Sequence, residues 1–180
     1  HTHFAAFADE TDAVIRRALD AGVWLVNVGT QHDTSAGAVE AAHRYLEGVY
    51  ATVGLHPVHT AASYHDAQEL GDTAEAKGFI SRGEIFDYDY YLKLGQDDKV
   101  VAIGECGLDY YRLEENTKPA QTSAFEQQIT LSRELAKPLM IHCRNAFTDL
   151  IEILTAHRST LNTPPGIVHF FSGTEENARD

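Results

Sequence analysis

The chain has 180 residues, of which 43% are hydrophobic, so its composition excludes an intrinsically disordered tail and allows one domain with a sizeable core. No apolar run approaches the roughly 20 residues of a membrane span, and no charged-then-apolar leader opens the sequence, so we expect neither a membrane protein nor a secreted one. The net charge of −13 argues against non-specific binding to duplex nucleic acid, although it leaves open a nucleic-acid enzyme whose bound divalent cations invert the local field.

Short runs of β-branched and aromatic residues alternate with helical patterns along the chain. In chain order, these patterns predict helices at 9–22, 36–46, 67–76 and 122–137, and strands at 23–29, 49–55, 99–105, 138–143 and 166–171. Gly22 stops the first helix, and the last helix is predicted to begin with a Thr or Ser cap near Glu126 and to end before Pro138.

Near-continuous apolar strands that alternate with helices indicate an α/β protein whose parallel sheet is covered by helices. A closed barrel and an open doubly wound sheet both satisfy this pattern, but no G-x-G-x-x-G loop follows the first of these strands. Polar residues cluster at the carboxyl ends of several strands, which favours a TIM-like (β/α)8 barrel. His1, Thr2 and His3 would then end a partial first strand, and the last two of the eight strands would be missing.

The tract at 79–98, FISRGEIFDYDYYLKLGQDD, interrupts the alternation because it is acidic, rich in tyrosine and without a clean period. We interpret it as a surface insertion, with a lid that contacts substrate as the alternative. The remaining chain has no internal repeat, so we predict a single truncated domain over residues 1–180.

Glu105 stands in an apolar strand, where an ionised carboxylate costs several kcal/mol unless a cation or strong donors compensate it. Residues of the metal-ligand type occur at four strand ends, which a barrel would bring together: His1, His3, Glu105, His142 and His169. Imidazoles and a carboxylate are the ligand set for Zn²⁺, Mn²⁺ or Fe²⁺, and a pair of ions would offset the burial of Glu105. Any one of these histidines alone is better explained as a core or surface residue, but their combination favours a metal site.

Cys106 and Cys143 point away from this predicted site, because side chains alternate along a strand and both cysteines neighbour a predicted ligand. We therefore interpret them as small packing residues under the helices, with a redox or catalytic role as the alternative. Two cysteines also fit the reduced cytoplasm, which is the location that we expect.

Five motifs in order along the chain resemble the TatD-related DNases, a family of the metal-dependent hydrolase superfamily. The motifs are HTH at 1–3, VGLHP at 53–57, AIGECGLDYYR at 102–112, KPLMIHCR at 137–144 and VHFFSG at 168–173. The resemblance covers essentially the whole chain, and it implies a TIM-like barrel with a two-metal site.

The resemblance also implies a role for each matching residue. His1 and His3 match the histidines that bind one metal ion, and Glu105 matches the carboxylate that bridges both ions. His142 and His169 match ligands of the second ion. The family further uses an aspartate on its last strand, in an E-T-D-like motif, and this sequence ends before that motif. The implied cofactors are two divalent metal ions, Mg²⁺, Mn²⁺ or Zn²⁺, with Glu105 as the catalytic residue.

Two arginines and one histidine are candidates for substrate binding. Guanidinium groups bind phosphate oxygens bidentately, which suits Arg112 and Arg144, although a salt bridge of Arg112 with Glu114 or Glu115 is an equal alternative. Arg144 shares a strand face with His142, so we predict that it lies in the site. His56 is predicted to contact substrate or to support a ligand, with a core histidine as the alternative.

Three residues that follow Glu105 along the chain each have a functional and a structural interpretation. Asp109 has the same strand parity as Glu105 and would orient a ligand imidazole through its N–H, unless it is only a turn residue. Tyr110 and Tyr111 would stack on the bases of a single-stranded nucleic acid, unless their role is structural.

The resemblance implies a metal-dependent deoxyribonuclease, in particular a 3'-5' exonuclease on single-stranded DNA. The alternatives are a metal-dependent amide or ester hydrolase on the same scaffold, and an inactive fragment that only binds metal. A truncated barrel leaves sheet edges unpaired, so we also expect the chain to self-associate, with an oligomeric state that the sequence does not specify.

Overall fold

The computed structural model describes residues 2, 11–65, 79–111 and 115–179. The helices are α1 Thr11–Asp20, α2 His32–His43, α3 Tyr88–Gly95, α4 Lys118–Glu134 and α5 Phe147–His157. The strands are β1 Leu25–Val28, β2 Val49–Val53, β3 Ala62–His65, β4 Phe79–Arg82, β5 Val100–Asp109, β6 Leu139–Arg144 and β7 Gly166–Val168. Three predicted site residues, His1, His3 and Arg112, and the whole of the predicted helix at 67–76 lie outside the described residues.

The main sheet is parallel and has the strand order β1-β2-β5-β6-β7. These are the five strands that the apolar runs predict. Thr2 lies beside β1 in the same parallel sense, because its N–H donates to the Val26 carbonyl oxygen and its own carbonyl oxygen accepts from the Val28 N–H, at 3.0 and 2.8 Å. The α/β architecture is therefore confirmed, and Thr2 occupies the place expected for the end of a first strand.

The core lies between the sheet and the helices. Ile15 of α1, Ala42 of α2 and Phe125 of α4 are fully buried against the apolar side chains of the strands. Nine of the ten residues of β5 are buried, as expected for a central strand of a parallel sheet that is covered on both faces. Among the described residues, no helix is long and apolar enough to span a lipid bilayer.

The tract at 79–98 is more regular than its sequence suggests. Its first residues form β4, which pairs with β3 in an antiparallel hairpin. The following helix α3 is capped by Asp87, whose side chain accepts a hydrogen bond from the Tyr90 N–H at 3.1 Å. Phe86 and Tyr91 stack at 4.7 Å between ring centroids and are 6% and 2% exposed, so this part of the tract belongs to the core and not to the surface. The division into one domain with an insertion stays a prediction.

Two helix predictions differ from the structure. Helix α4 begins at Lys118, not near Glu126, because Pro119 occupies its first turn, where a missing N–H costs nothing. Helix α2 begins at His32, four residues before its predicted start, and Gln31 and Thr34 form a capping box there. Helix α5 was not predicted individually.

Two glycines bring β5 unusually close to β6. A Cβ atom on Gly104 would lie 2.3 Å from the Met140 carbonyl oxygen, and one on Gly107 would lie 2.1 Å from that of His142. Both glycines have positive φ, +148° and +128°, a region that other residues seldom adopt. This close approach places Glu105, between the two glycines, beside the end of β6.

Candidate metal centre

Glu105 lies at the centre of a group of imidazoles at the carboxyl ends of the strands. Its side chain is almost fully buried, and the residue is 2% exposed. Oxygen Oε1 of Glu105 lies 3.3 Å from His56 Nε2 and 3.1 Å from His142 Nδ1, and it also contacts His169 Nε2. In the protein without metal, these three imidazoles compensate the buried carboxylate, for which the sequence analysis expects a pair of ions.

Parallel pairing brings these residues together, although they are far apart in sequence. The Glu105 N–H donates to the Gly29 carbonyl oxygen at 3.0 Å, and the His56 N–H donates to that of Thr30 at 2.8 Å. The His169 N–H donates to the Ile141 carbonyl oxygen at 3.0 Å. Because parallel strands end at the same edge of a sheet, the residues that follow β2 and β7 meet Glu105 on β5.

His142 lies between two buried carboxylates. Its Nδ1 faces Glu105, and its Nε2 lies 2.8 Å from Oδ2 of Asp109, which is 3% exposed. Burial alone would lower the pKa of His142, but its hydrogen bonds to Asp109 and Glu105 outweigh burial and raise the pKa to about 9. Asp109 therefore contacts a predicted ligand imidazole, in the way that an orienting carboxylate does.

His56 is held by the short turn that it begins. Its Nδ1 accepts a hydrogen bond from the Val58 N–H at 3.2 Å, so in the neutral ring the proton is on Nε2, which faces Glu105. Burial lowers the pKa of His56, and the positive charge of His142 lowers it further. The uncharged ring thus presents a hydrogen-bond donor to the site.

The residues present fit a divalent cation. Ligand atoms of Glu105 and His142 lie within 4.8 Å of each other and of the His56 ring, which offers a hydrogen-bond donor, and His169 contacts the same carboxylate. Neutral imidazole and carboxylate are the donors that Zn²⁺ and Mn²⁺ bind, so the chemistry of the donor set agrees with the predicted metal site.

Arg144 and Tyr111 form a stacked pair at the neighbouring ends of β6 and β5. The central guanidinium carbon of Arg144 lies 3.6 Å from the centroid of the Tyr111 ring, and the Tyr111 N–H donates to Asp109 Oδ1 at 2.9 Å. Tyr110 points elsewhere, since its hydroxyl donates to Asp149 at 2.6 Å and its ring faces Lys118. Of the two tyrosines, Tyr111 alone is beside a predicted substrate residue, and its ring is covered by Arg144.

Both cysteines are buried packing residues, in agreement with the prediction. Cys106 is 0% exposed and Cys143 is 6% exposed, and both belong to the main apolar core. Burial raises the pKa of both thiols, that of Cys143 to about 11. These are the properties of packing residues, because a reactive cysteine needs an accessible thiolate.

The structure thus brings five of the predicted site residues into one cluster, namely His56, Glu105, Asp109, His142 and His169. Arg144 follows His142 by two residues on β6 and pairs with Asp109 in the register of β5 and β6. Two buried glutamines of α4, Gln121 and Gln128, also contact the strand ends and were missed. The available signal was two amides seven residues apart, which lie on the same face of a helix.

The fold and the site together define a TIM-like (β/α)8 barrel protein with a carboxylate–imidazole centre at the carboxyl ends of its strands. The chain belongs to the TatD related DNase family, whose family model matches residues 1–180. The resemblance that the five motifs indicate is therefore confirmed.

Similar proteins agree with this assignment. A curated relative from Cronobacter sakazakii, named 3'-5' ssDNA/RNA exonuclease TatD, is 36% identical over 97% of this chain and 57% of its own length. A relative of the same name from Erwinia billingiae is 35% identical over 94% of this chain and 57% of its own length. The chain therefore spans a little over half the length of these relatives.

Solved structures of the family have the same fold. A TatD family hydrolase from Entamoeba histolytica matches with a TM-score of 0.68 and 28% identity, over 97% of this chain and 54% of its own. A TatD homologue from Escherichia coli K12 matches with a TM-score of 0.65 and 26% identity, over 93% of this chain and 56% of its own. The predicted barrel class is thus confirmed.

Proposed function

We propose that the protein is a metal-dependent hydrolase that cleaves phosphodiester bonds, in particular a 3'-5' exonuclease on single-stranded DNA. The observation that carries this proposal is the buried Glu105 carboxylate with three imidazoles around it. The names of the curated relatives support the substrate class and the direction of cleavage.

The metal ligands in this proposal are the residues that the motifs predict. Glu105, His142 and His169 would hold one divalent ion, and His1 and His3 would hold a second ion that shares Glu105. The ions would be Mg²⁺, Mn²⁺ or Zn²⁺. When bound, they supply Lewis acidity toward the phosphoryl group and a nucleophile at neutral pH.

Asp109 would select the tautomer of the ligand imidazole. A carboxylate that accepts the N–H of one ring nitrogen leaves the other nitrogen free to coordinate. Asp109 lies 2.8 Å from Nε2 of His142, so it would hold the proton there and direct Nδ1 toward the ion beside Glu105.

His56 and Arg144 would contact the substrate. The Nε2 proton of His56 is a donor for a phosphate oxygen, since Nδ1 is already occupied by the Val58 N–H. The guanidinium of Arg144 would bind phosphate oxygens bidentately, with its other face against the Tyr111 ring. Arg112 is the candidate for a second phosphate contact, because a guanidinium binds phosphate oxygens bidentately, and a salt bridge with Glu114 or Glu115 is the alternative.

The decisive experiment replaces Glu105. In the purified protein, Glu105→Gln is expected to lower metal-stimulated release of nucleotides from a 5'-labelled single-stranded oligonucleotide by about 100-fold or more. Glu126→Gln, on the exposed face of α4, is the matched control and should keep full activity. Unchanged cleavage by the Glu105 variant would refute the proposal.

A substrate panel tests the class of reaction. We expect cleavage of single-stranded DNA to exceed that of duplex DNA and of small amides and esters. Hydrolysis of the small amides or esters with the oligonucleotides left intact would instead identify an amide or ester hydrolase on this scaffold.

We also propose a cytoplasmic location, which the free and buried Cys106 and Cys143 support. Cell fractionation with an antibody to the protein should recover it with cytosolic markers. Its recovery with membranes or in the medium would contradict this location.

A further inference from the structure

Helix α4 carries two glutamines whose side chains are completely buried. Gln121 and Gln128 are both 0% exposed, and they are seven residues apart, which places both on the face of α4 that packs on the sheet. An amide in an apolar core costs free energy unless its donors and its acceptor are all used. The partners of these two amides therefore explain their presence.

Gln128 binds the chain just before His56. The Leu55 N–H donates to Gln128 Oε1 at 2.9 Å, and Gln128 Nε2 donates back to the Leu55 carbonyl oxygen at 3.0 Å. One amide thus uses both backbone polar groups of a single residue, as a neighbouring strand would. Strand β2 ends at Val53, so the Gln128 amide supplies hydrogen bonds to the backbone beyond the end of the strand, next to the site.

Gln121 does the same at Asp109, the last residue of β5. The Asp109 N–H donates to Gln121 Oε1 at 2.8 Å, and Gln121 Nε2 donates to the Asp109 carbonyl oxygen at 2.9 Å. Asp109 is the residue whose carboxylate contacts His142. The two glutamines therefore bind the two strand ends from which His56 and Asp109 reach the metal centre.

We infer that Gln121 and Gln128 are positioning residues, which fix the backbone that carries Asp109 and His56 and so hold the imidazoles of the site in place. This inference rests on the proposed function. Two hydrogen bonds to one residue restrict its φ and ψ angles, and a shift of about 1 Å at a metal or substrate group is costly for function.

The experiment compares three methionine variants, because methionine is unbranched like glutamine and cannot accept and donate these hydrogen bonds. Gln121→Met and Gln128→Met each remove the two hydrogen bonds to the backbone of a strand end. Gln127→Met is the matched control, since in the described part of the chain the hydrogen bonds of the Gln127 side chain go to Ser123 of its own helix. Each variant is examined without metal by ¹H–¹⁵N correlation of the imidazole nitrogens, and by calorimetric titration with Mn²⁺ alone.

We expect Gln128→Met to shift the imidazole signals of His56, and Gln121→Met to shift those of His142 and to weaken Mn²⁺ binding by about 10-fold or more. Gln127→Met should change neither. A merely structural role would lower the melting temperature of both variants with the imidazole signals and the Mn²⁺ affinity unchanged, and this result would overturn the inference.

A substitute variant and a metal-free measurement make the experiment decisive. If a methionine variant does not fold, Gln121→Asn or Gln128→Asn replaces it, because a side chain shorter by one methylene stays polar but cannot reach both backbone groups. If the unmodified protein binds no Mn²⁺, the proposed function fails, whereas the imidazole spectra of the metal-free protein still decide whether the glutamines position His56 and His142.

Discussion

His142 shows how a single residue can stabilise two buried acids. Its imidazole lies between Glu105 and Asp109, which are 2% and 3% exposed, and its pKa is raised to about 9 because the two carboxylates outweigh the effect of burial. Removing one partner of a buried ion pair costs more than the pair contributes, since it leaves an uncompensated charge.

The metal-free protein should therefore depend on His142 for stability. We expect His142→Ala to lower the free energy of unfolding by roughly 3 kcal/mol or more at pH 6.5, measured by urea denaturation with EDTA present. His157→Ala, at the end of α5, is the control and should cost less than about 1 kcal/mol.

The same ion pair predicts how the stability of the unmodified protein changes with pH. The folded pKa of His142 is raised, so its contribution is complete below the unfolded value of about 6.5 and is lost as pH rises through about 9. We expect a loss of roughly 3 kcal/mol across this window that His142→Ala does not show. A flat profile for the unmodified protein would contradict the assignment.

The guanidinium of Arg144 stacks on the ring of Tyr111, two residues after His142 along β6. We predict that Arg144→Lys raises KM for a single-stranded oligonucleotide about 10-fold, because an ammonium group cannot bind phosphate bidentately or stack in the same way. Tyr111→Phe keeps the ring and should have little effect, whereas Tyr111→Ala should raise KM several-fold. Equal KM values in all three variants would exclude a substrate role for this pair.

At the scale of elements, β5 is constrained by its close approach to β6. Its Gly107 faces the His142 carbonyl oxygen, so an added methyl group would clash at 2.1 Å, in a backbone conformation with φ of +128°. Both the overlap and the strain must be relieved by moving β5 away from β6, and with it Glu105 away from His142.

We therefore predict that Gly107→Ala lowers the free energy of unfolding by about 3 kcal/mol and weakens Mn²⁺ binding. Gly37→Ala is the contrasting variant. Gly37 lies within α2 and has nothing within 4 Å of an added Cβ, so alanine there should stabilise the protein by about 0.5–1 kcal/mol. Denaturant melts of both proteins and calorimetry with Mn²⁺ test the pair of expectations.

At the scale of the whole molecule, the sheet has an exposed apolar edge at β7. Among the described strands, β6 is the only partner of β7, and Ile167 on β7 is 60% exposed. Beside it lies an apolar cavity of about 160 Å³ whose lining includes Leu139, Leu154 and Leu161. An exposed strand edge with apolar neighbours favours pairing with another chain.

This edge predicts self-association of the chain when it is prepared alone. We expect Ile167→Lys to shift the chain toward monomer in sedimentation velocity, because a lysine on an edge strand disfavours edge-to-edge pairing. Leu46→Lys is the control, since Leu46 is 98% exposed but lies in the turn before β2. Equal association of the two variants would show that the β7 edge is not the contact.

Local patterns in the sequence predicted much of the fold, because the position of a strand and the face of a side chain depend mainly on neighbouring residues. The five strands of the main sheet and the burial of both cysteines and of Glu105 follow from apolar runs and strand parity. The prediction for 79–98 was less accurate, because the burial of Phe86 and Tyr91 depends on contacts with distant elements that no local period reveals. The start of α4 was predicted too late because a Thr–Ser pair resembled a cap.

The sequence by itself determined the alternation of strands and helices, the family, and the residue types of the candidate metal centre, since each is encoded in short, ordered motifs. The tertiary structure alone decided that Oε1 of Glu105 contacts three imidazoles, that Asp109 holds His142, and that two glutamines of α4 bind the strand ends. The physical reason is that these distances depend on the register and close approach of strands separated by tens of residues. Periodicity determines which face a side chain occupies, but not which partner it meets there.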